Sequence, residues 1–300
     1  MLTIGNFDGV HRGHVQLISR LRARADAAGA PALAVTFDPH PIALLRPHLL
    51  PPSLTTFERR IELLRQAGAD EVVVFRTGPW LLGLTAREFF DRIILGQLQA
   101  RGMVEGFNFA FGRDRAGNVE RLTAWCLEAG LEFEETPPAH DENGVAISSS
   151  EIRGRLREGD VHQAARLLGR PHRLEGAVVH GARRGRELGF PTANLGDITV
   201  QIPARGVYAA WARIPDLSPT PLPAAVHIGP NATFGERDDS VEAHLIGFEG
   251  DLYGQRMELD LIERTRSTHA FTTVENLVAQ IRVDVSEVKA RLERESFALS

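Results

Sequence analysis

The chain opens on a short apolar run, Leu2-Thr3-Ile4, that stops at Gly5. A helical pattern follows in which Val15, Ile18, Leu21, Ala25 and Ala28 recur on one face. This predicts a strand, a glycine-rich loop and a helix that closes near Gly29. Ala32 to Phe37 reads as a fully buried strand. Thr55 with Glu58 forms a capping box for a helix ending at Gly68, and a strand follows at Val72 to Phe75. A second box, Thr85 with Glu88, opens a helix to about Ala100. Met103 to Glu105, a helix over residues 119 to 129 and a strand at Leu131 to Glu135 continue the alternation. Strands spaced by helices predict a doubly wound parallel sheet, an α/β first domain. Asp160 and Gln163 cap a short helix ending at Leu168, and Gly169-Arg170-Pro171 then marks the boundary between domains 1–168 and 169–300.

Past this boundary the helical period disappears. Short strand-like runs lie at Leu174 to Val179, Gly206 to Arg213, Ala224 to Ile228, Ser240 to Phe248 and Met257 to Glu263, separated by glycine- and proline-rich turns. Their spacing predicts an all-β second domain, an antiparallel sheet closed into a small barrel. A last helical pattern, Val274 to Ile281 and Val285 to Phe297, is expected to cover one opening or edge of it.

Composition narrows the function class. The 300 residues allow two modest domains, and 43% hydrophobic with 24% charged residues is the balance of a soluble globular protein. A net charge of −5 argues against a nucleic-acid binder. No apolar run approaches the roughly 18 residues of a membrane span, so no membrane association is expected. The lone Cys126, between Trp125 and Leu127 in a helical pattern, reads as a small core residue; with no disulfide framework, a cytoplasmic setting follows. Oligomeric state stays open between a monomer and a weak homo-oligomer. Nearly every cation is arginine, Lys289 being the one lysine.

The candidate chemistry lies at the ends of the predicted strands, where parallel sheets bind ligands. Gly5-Asn6-Phe7-Asp8-Gly9-Val10-His11-Arg12-Gly13-His14 carries a glycine-permitted turn into a helix N-terminus, a geometry suited to polyphosphate. His11 and His14, three apart, project to one face of the first turn. Thr36-Phe37-Asp38-Pro39-His40-Pro41 ends the second strand, and Gly106-Phe107-Asn108-Phe109-Ala110-Phe111-Gly112 follows a later one. Ser148 with Glu151 forms a capping box that would gather free N–H groups, hydroxyls and Arg153 at one helix end. In the second domain, His180 to Asn194 is rich in glycine and arginine, and Thr192 and Asn194 could offer oxygen ligands to Mg²⁺. Along Val241-Glu242-Ala243-His244-Leu245-Ile246, alternation puts Glu242 and His244 on the face opposite Val241, Ala243 and Leu245.

Taken together these words resemble the bacterial bifunctional riboflavin kinase/FAD synthetase family. GNFDGVHRGH resembles the HxGH box of nucleotidyltransferases, in which the two histidines stabilise charge on a nucleotide α-phosphate. Ile147-Ser148-Ser149-Ser150-Glu151-Ile152-Arg153 is similar to the ISSTxIR motif, with Ser150 in place of threonine, and Gly185 to Asn194 resembles the GRxLGFPTAN word of riboflavin kinases. The resemblance implies a Rossmann-like adenylyltransferase domain and a kinase barrel, with riboflavin, FMN and ATP as substrates and Mg²⁺ accompanying ATP. His11, His14 and Glu242 would be catalytic. ATP would be held by Gly5, Phe7, Asp8, Gly13, Ser148, Ser149, Ser150 and Arg153 in one domain, and by Gly185, Gly189, Pro191 and Thr192 in the other. Flavin contacts fall to Asn108, Phe109, Phe111 and Arg266, and the metal to Thr192 and Asn194. Ala232 stands where the family commonly has proline. Relatives of this kind also carry more chain before the first box, so a short first strand or a late start is expected. Two other readings stay open: an adenylyltransferase for a different acceptor, and a flavin-binding protein without turnover. The GFPTAN and VEAHL segments oppose the first, and the intact histidines and Glu242 oppose the second.

Overall fold

The computed structural model describes residues 1–181, 184–230 and 239–298. They form two compact units: Met1–Pro51 with Thr55–Ser149, and Pro52–Leu54 with Ser150 onward. In the first unit β1 (Leu2–Ile4) leads into α1 (Arg12–Ala27), and β2 (Leu33–Asp38) into α2 (Pro41–Leu45) and α3 (Phe57–Gln66). Next come β3 (Glu71–Arg76), α4 (Pro79–Leu82) and α5 (Ala86–Phe89), which runs on as a π-helical stretch over Phe90–Gln97. The unit closes with β4 (Gly102–Gly106), a small hairpin of β5 (Ala110–Phe111) and β6 (Gly117–Asn118), then α6 (Val119–Ala129) and β7 (Glu132–Thr136).

Five of these strands form one parallel sheet in the order β3-β2-β1-β4-β7. Strand order therefore reverses between β1 and β4, the point at which such sheets open a ligand crevice beyond their carboxyl ends. Side chains alternate to the two faces. Leu2, Ile4 and Met103 pack with Phe89, Phe90 and Ile94 on one, while Ala34 and Val104 pack with Ile18, Leu21 and Leu64 on the other. Cys126 lies in the first of these cores, and burial pushes its thiol up to about 11, as an inert core residue requires.

The Thr85–Glu88 capping box is present in both directions. The box predicted at Thr55 is displaced by one residue: Thr56, not Thr55, caps α3 by accepting from the Arg59 N–H, and Thr55 turns inward. The core face of α1 is Leu17, Ile18, Leu21 and Ala25, and Val15, assigned to that face by its spacing, is 39% exposed. The helix expected to run to Ala100 widens after Phe89, where the Leu98 N–H reaches the Ile93 carbonyl five residues back.

The second unit takes up α7 (Ser149–Glu158) from Ser150 onward, and α7 and α8 (Val161–Leu168) precede β8 (His172–Val179), a short helix α9 (Arg184–Glu187) and β9 (Ala193–Gly196). β10 (Gly206–Ile214), β11 (Ser218–Gly229), β12 (Ser240–Leu245) and β13 (Arg256–Arg266) follow, and α10 (Val274–Ala298) is the expected last helix, continuous through the gap between its two apolar stretches. Six strands close into an antiparallel barrel in the order β10-β11-β12-β9-β8-β13. Its interior is filled by one alternation set, including Tyr208, Val226, Ala243, Leu259 and Leu174. A packed lumen leaves room for a ligand only on the outer wall. α10 lies on that wall, with Val288 and Leu292 against Ala209, Trp211, Ala225 and Ile262, rather than over an opening.

Candidate active sites

The loop after β1 is held in a conformation that few sequences tolerate. Phe7 and Val10 both have positive φ, 48° and 38°, which is rare for side chains of this bulk. Such backbone needs fixing from outside, and the fixings are visible. The Gly5 N–H donates to the Val35 carbonyl at 2.9 Å, and the Ser149 hydroxyl donates to the Asp8 carbonyl at 2.9 Å. Ser149 of the ISSS word is thereby joined to the HxGH loop.

His11 is the N-cap of α1, its Nδ1 accepting from the His14 N–H. The two imidazoles stack with centroids 3.6 Å apart and 17° between their planes, and the Phe7 ring stands edge-on to His14. Gly13 belongs to this stack, because a Cβ there would come within 3.2 Å of the His11 ring. The loop thus presents two parallel imidazoles and a helix N-terminus at the β1–β4 switch point, an arrangement that places donors where an anion can sit.

Two charged residues that the sequence did not single out support this loop. Glu105 on β4 is fully buried, and its carboxyl accepts from the Ile4 N–H at 2.8 Å and from the Thr3 hydroxyl at 3.4 Å. β1 and β4 pair in register only at Leu2 and Met103, so the Glu105 carboxyl replaces a backbone partner where the strands part. Burial pushes its pKa well above the usual carboxylate range, the two hydrogen bonds opposing this. Arg60 on α3 is likewise buried, with its guanidinium 3.7 Å from the Asp8 carboxylate. Desolvation lowers its pKa, against the fields of Asp8 and Asp38. One of three arginines in an amphipathic helix, it reads as a surface residue, and only the fold shows it beneath the loop.

The segment after β4 divides. Phe111 is buried in the sheet core beside Phe89 and Trp125, Phe109 stacks on it at 5.3 Å, and Phe107 and Asn108 are exposed. The aromatic run is therefore partly core packing and partly a surface ledge. Ser150 and Arg153 lie on α7 in the second unit, where Arg153 donates through Nε to the Pro52 carbonyl.

On the barrel wall, the strand register builds a row. Asn194 pairs with Glu242, Glu242 with His227, and His227 with Val207, at one level across β9, β12, β11 and β10. All four line a cavity of about 310 Å³ that α10 and the segment after β13 close from outside. The expected alternation in β12 holds: Val241, Ala243 and Leu245 are buried inside, and Glu242 and His244 face the cavity. Glu242 accepts from the Thr192 hydroxyl at 3.2 Å through Oε2 and from the Ser240 hydroxyl at 3.2 Å through Oε1. Pro191 offers its carbonyl to His244 Nδ1 at 2.9 Å, fixing the GFPTAN strand to β12. Gly185 is required by close approach, since a Cβ would fall 2.4 Å from the Phe190 carbonyl; Gly189 turns the loop with φ +85°. Arg266 lines the same cavity with its guanidinium committed to Asp284 of α10, Nε to Oδ1 at 2.8 Å and Nη2 to Oδ2 at 2.6 Å. Ala232 lies outside the described residues.

No cluster of three or more His, Cys, Asp or Glu side chains among the described residues forms a metal cage. Thr192 and Asn194 instead offer neutral oxygens, the donor set suited to a Mg²⁺ that keeps waters and substrate phosphates. Among the described residues no helix is long and apolar enough to cross a membrane.

Comparison with known proteins agrees with both halves. Residues 1–151 match the family model for FAD synthetase, and residues 168–292 that for riboflavin kinase. A bifunctional riboflavin kinase/FMN adenylyltransferase of Pseudomonas fluorescens is 35% identical, covering 96% of this chain and 91% of the relative. A protein of the same name from Bacillus subtilis is 33% identical over 96% of this chain and 90% of its own. A crystal structure from Streptococcus pneumoniae, named a macrolide-efflux protein, is similar with a TM-score of 0.84 and 31% identity, covering 96% of this chain and 93% of that one.

Proposed function

The chain belongs to the family of bifunctional riboflavin kinases/FMN adenylyltransferases, and from that premise we propose how its residues divide the two reactions. It phosphorylates riboflavin to FMN and adenylylates FMN to FAD. We assign the adenylyl transfer to residues 1–168 and the kinase to residues 169–300, following the two family matches.

In the adenylyl transfer, an FMN phosphate oxygen attacks the α-phosphorus of ATP, and the bond to the β-phosphate breaks to release pyrophosphate. The nucleophile is already an anion, so no side-chain base is needed. His11 and His14 donate to the α-phosphate as charge builds there, supported by their stacking at the head of α1. Gly5, Phe7, Asp8 and Gly13 shape the ATP loop with Ser148 and Ser149, the latter bound to the Asp8 carbonyl; by motif, Ser150 and Arg153 also serve the ATP phosphates. Asn108 and Phe109 take the flavin ring, with Phe111 packed behind them.

In the kinase, the terminal ribityl hydroxyl attacks the γ-phosphorus, its proton passes to a Glu242 carboxylate oxygen, and ADP leaves with the bridging electron pair. The observation that carries this assignment is the Thr192–Glu242 hydrogen bond inside a cavity of small-molecule size. Gly185, Gly189, Pro191 and Thr192 would receive the ATP phosphates, and Thr192 and Asn194 would hold Mg²⁺. When bound, the ion would neutralise developing charge on the phosphates. Arg266 orders the flavin side by pinning α10 through Asp284. We place both reactions in the cytoplasm, where ATP is supplied.

The test is chromatography of flavins after incubating the chain with riboflavin, ATP and Mg²⁺, then with FMN, ATP and Mg²⁺. His14→Ala should lower FAD formation about 100-fold and leave FMN formation unchanged. Loss of both together would contradict the division.

A further inference from the structure

His227 belongs to no motif found in the sequence, yet it sits in the centre of the kinase row. It is the register partner of Glu242 on the neighbouring strand, on the same outward face, so the two Cβ atoms are about 5 Å apart. Both side chains line the cavity. The other polar groups around them have partners: Thr192 donates to Glu242, His244 meets the Pro191 carbonyl, and Arg266 is bound to Asp284. His227 differs. Its Nδ1 is buried and has no hydrogen-bond partner among the described residues. A buried ring nitrogen left unpaired is costly unless something else fills the site.

The state of the ring narrows what that partner is. Burial lowers the His227 pKa and Arg266 adds to this, while Glu242, Asp239 and Asp284 pull the other way. The outcome is a neutral imidazole at pH 7, with one nitrogen donating and the other accepting. A hydroxyl, which both donates and accepts, matches either tautomer. The ribityl chain carries a hydroxyl on the carbon next to the one that is phosphorylated. With the terminal hydroxyl at Glu242, the adjacent one lies one carbon further along the chain, within reach of the side chain that the neighbouring strand presents beside Glu242.

Resting on the assignment of Glu242 as base, we propose that His227 reads the ribityl chain by hydrogen-bonding the secondary hydroxyl adjacent to the phosphorylated one. His227 then discriminates for a polyol chain and holds the terminal hydroxyl in line for attack. This is a substrate contact with no proton transfer of its own.

The experiment is a cycle of kinase assays on the full chain, pairing wild type, His227→Phe and His227→Leu with riboflavin and with its 4′-deoxy analogue. Wild type should lose about threefold to tenfold in kcat/KM on the analogue, the worth of one neutral hydrogen bond. Each apolar variant should lose a similar factor on riboflavin and then treat both substrates alike. FMN adenylylation by the same preparations should be unchanged, which separates a lost contact from a damaged chain. Variants that retain the wild-type preference for the hydroxylated chain overturn the proposal. Glu242→Gln is assayed alongside: kinase turnover surviving in that variant sinks the base assignment, while the His227 cycle still gives its own answer.

Discussion

Glu105 supplies the clearest consequence at the scale of one residue. A carboxyl whose folded pKa is raised above its unfolded value of about 4.3 adds stability that is fully present below the unfolded pKa. That stability is lost as pH rises through the folded pKa, because ionising the group in the core is opposed. Glu105 is in this position, with burial as the dominant cause. Glu105→Gln keeps an oxygen for the Ile4 N–H and cannot ionise. Thermal melts should therefore show the variant gaining on wild type as pH is raised from 5 to 8. A constant difference across that range would mean that the carboxyl ionises alike in the folded and the unfolded chain, and would overturn the raised pKa. The glutamate was not legible as a site residue in the sequence, since Met103 to Glu105 reads simply as a strand end. What gives it a role is the parting of β1 from β4, a tertiary feature. His227 and Arg60 escaped for the same reason: each is an ordinary residue in a local pattern and becomes distinctive only through the register or packing that surrounds it.

Among the elements, α10 has the most direct bearing on activity. Leu277, Ile281, Asp284 and Val285 wall the kinase cavity, and the Arg266–Asp284 pair joins the helix to the end of β13. Asp284 is 4% exposed and also accepts from the Gln280 amide. Asp284→Ala would leave Arg266 facing the cavity without its counter-ion, a change that costs about 3 kcal/mol in buried pairs. Riboflavin KM should rise at least about tenfold, with FMN adenylylation unaffected; an unchanged KM would show that the helix keeps its place without this pair, through Val288, Leu292 and the Arg291–Glu263 bridge. Element-level reading of the sequence succeeded where a local chemical signal existed, as at the Thr85 box and the Asp160 cap. It failed where two signals compete. Thr55 and Thr56 are adjacent candidates, and packing sends the first inward. β11 extends back to Ser218 although Pro219, Pro221 and Pro223 read as a turn. Those residues pair only with β10, and β12 joins from Ala224, so the prolines lie where a missing N–H breaks no second ladder. β9 is four residues long inside the GFPTAN word and carries no period of its own.

For the whole molecule, the helix pair α7 and α8 sets the question of where one catalyst ends and the other begins. By motif, Ser150 and Arg153 belong with the HxGH loop and adenylyl transfer. By packing, everything from Ser150 belongs to the barrel unit. The Ala204 N–H donates to the Leu156 carbonyl, Gln201 donates to the Arg153 carbonyl, and α8 buries Val161, Ala164, Leu167 and Leu168. The sequence alone places the break at the Gly-Arg-Pro turn after Leu168, because composition changes there and side-chain packing is invisible to it. Two cuts separate the alternatives. A fragment 169–300 keeps every strand of the barrel and the Thr192–Glu242 row, and loses the apolar cover of α8. It should phosphorylate riboflavin but melt well below the fragment 150–300. The complementary piece 1–149 loses Ser150 and Arg153 and should form FAD at least about 100-fold more slowly than 1–168, if those groups meet the ATP phosphates. Equal melting of the two barrel fragments would make α8 a linker rather than part of the kinase fold. Equal FAD formation by 1–149 and 1–168 would remove Ser150 and Arg153 from the adenylyl site and leave the HxGH loop, with Ser148 and Ser149, to carry that reaction.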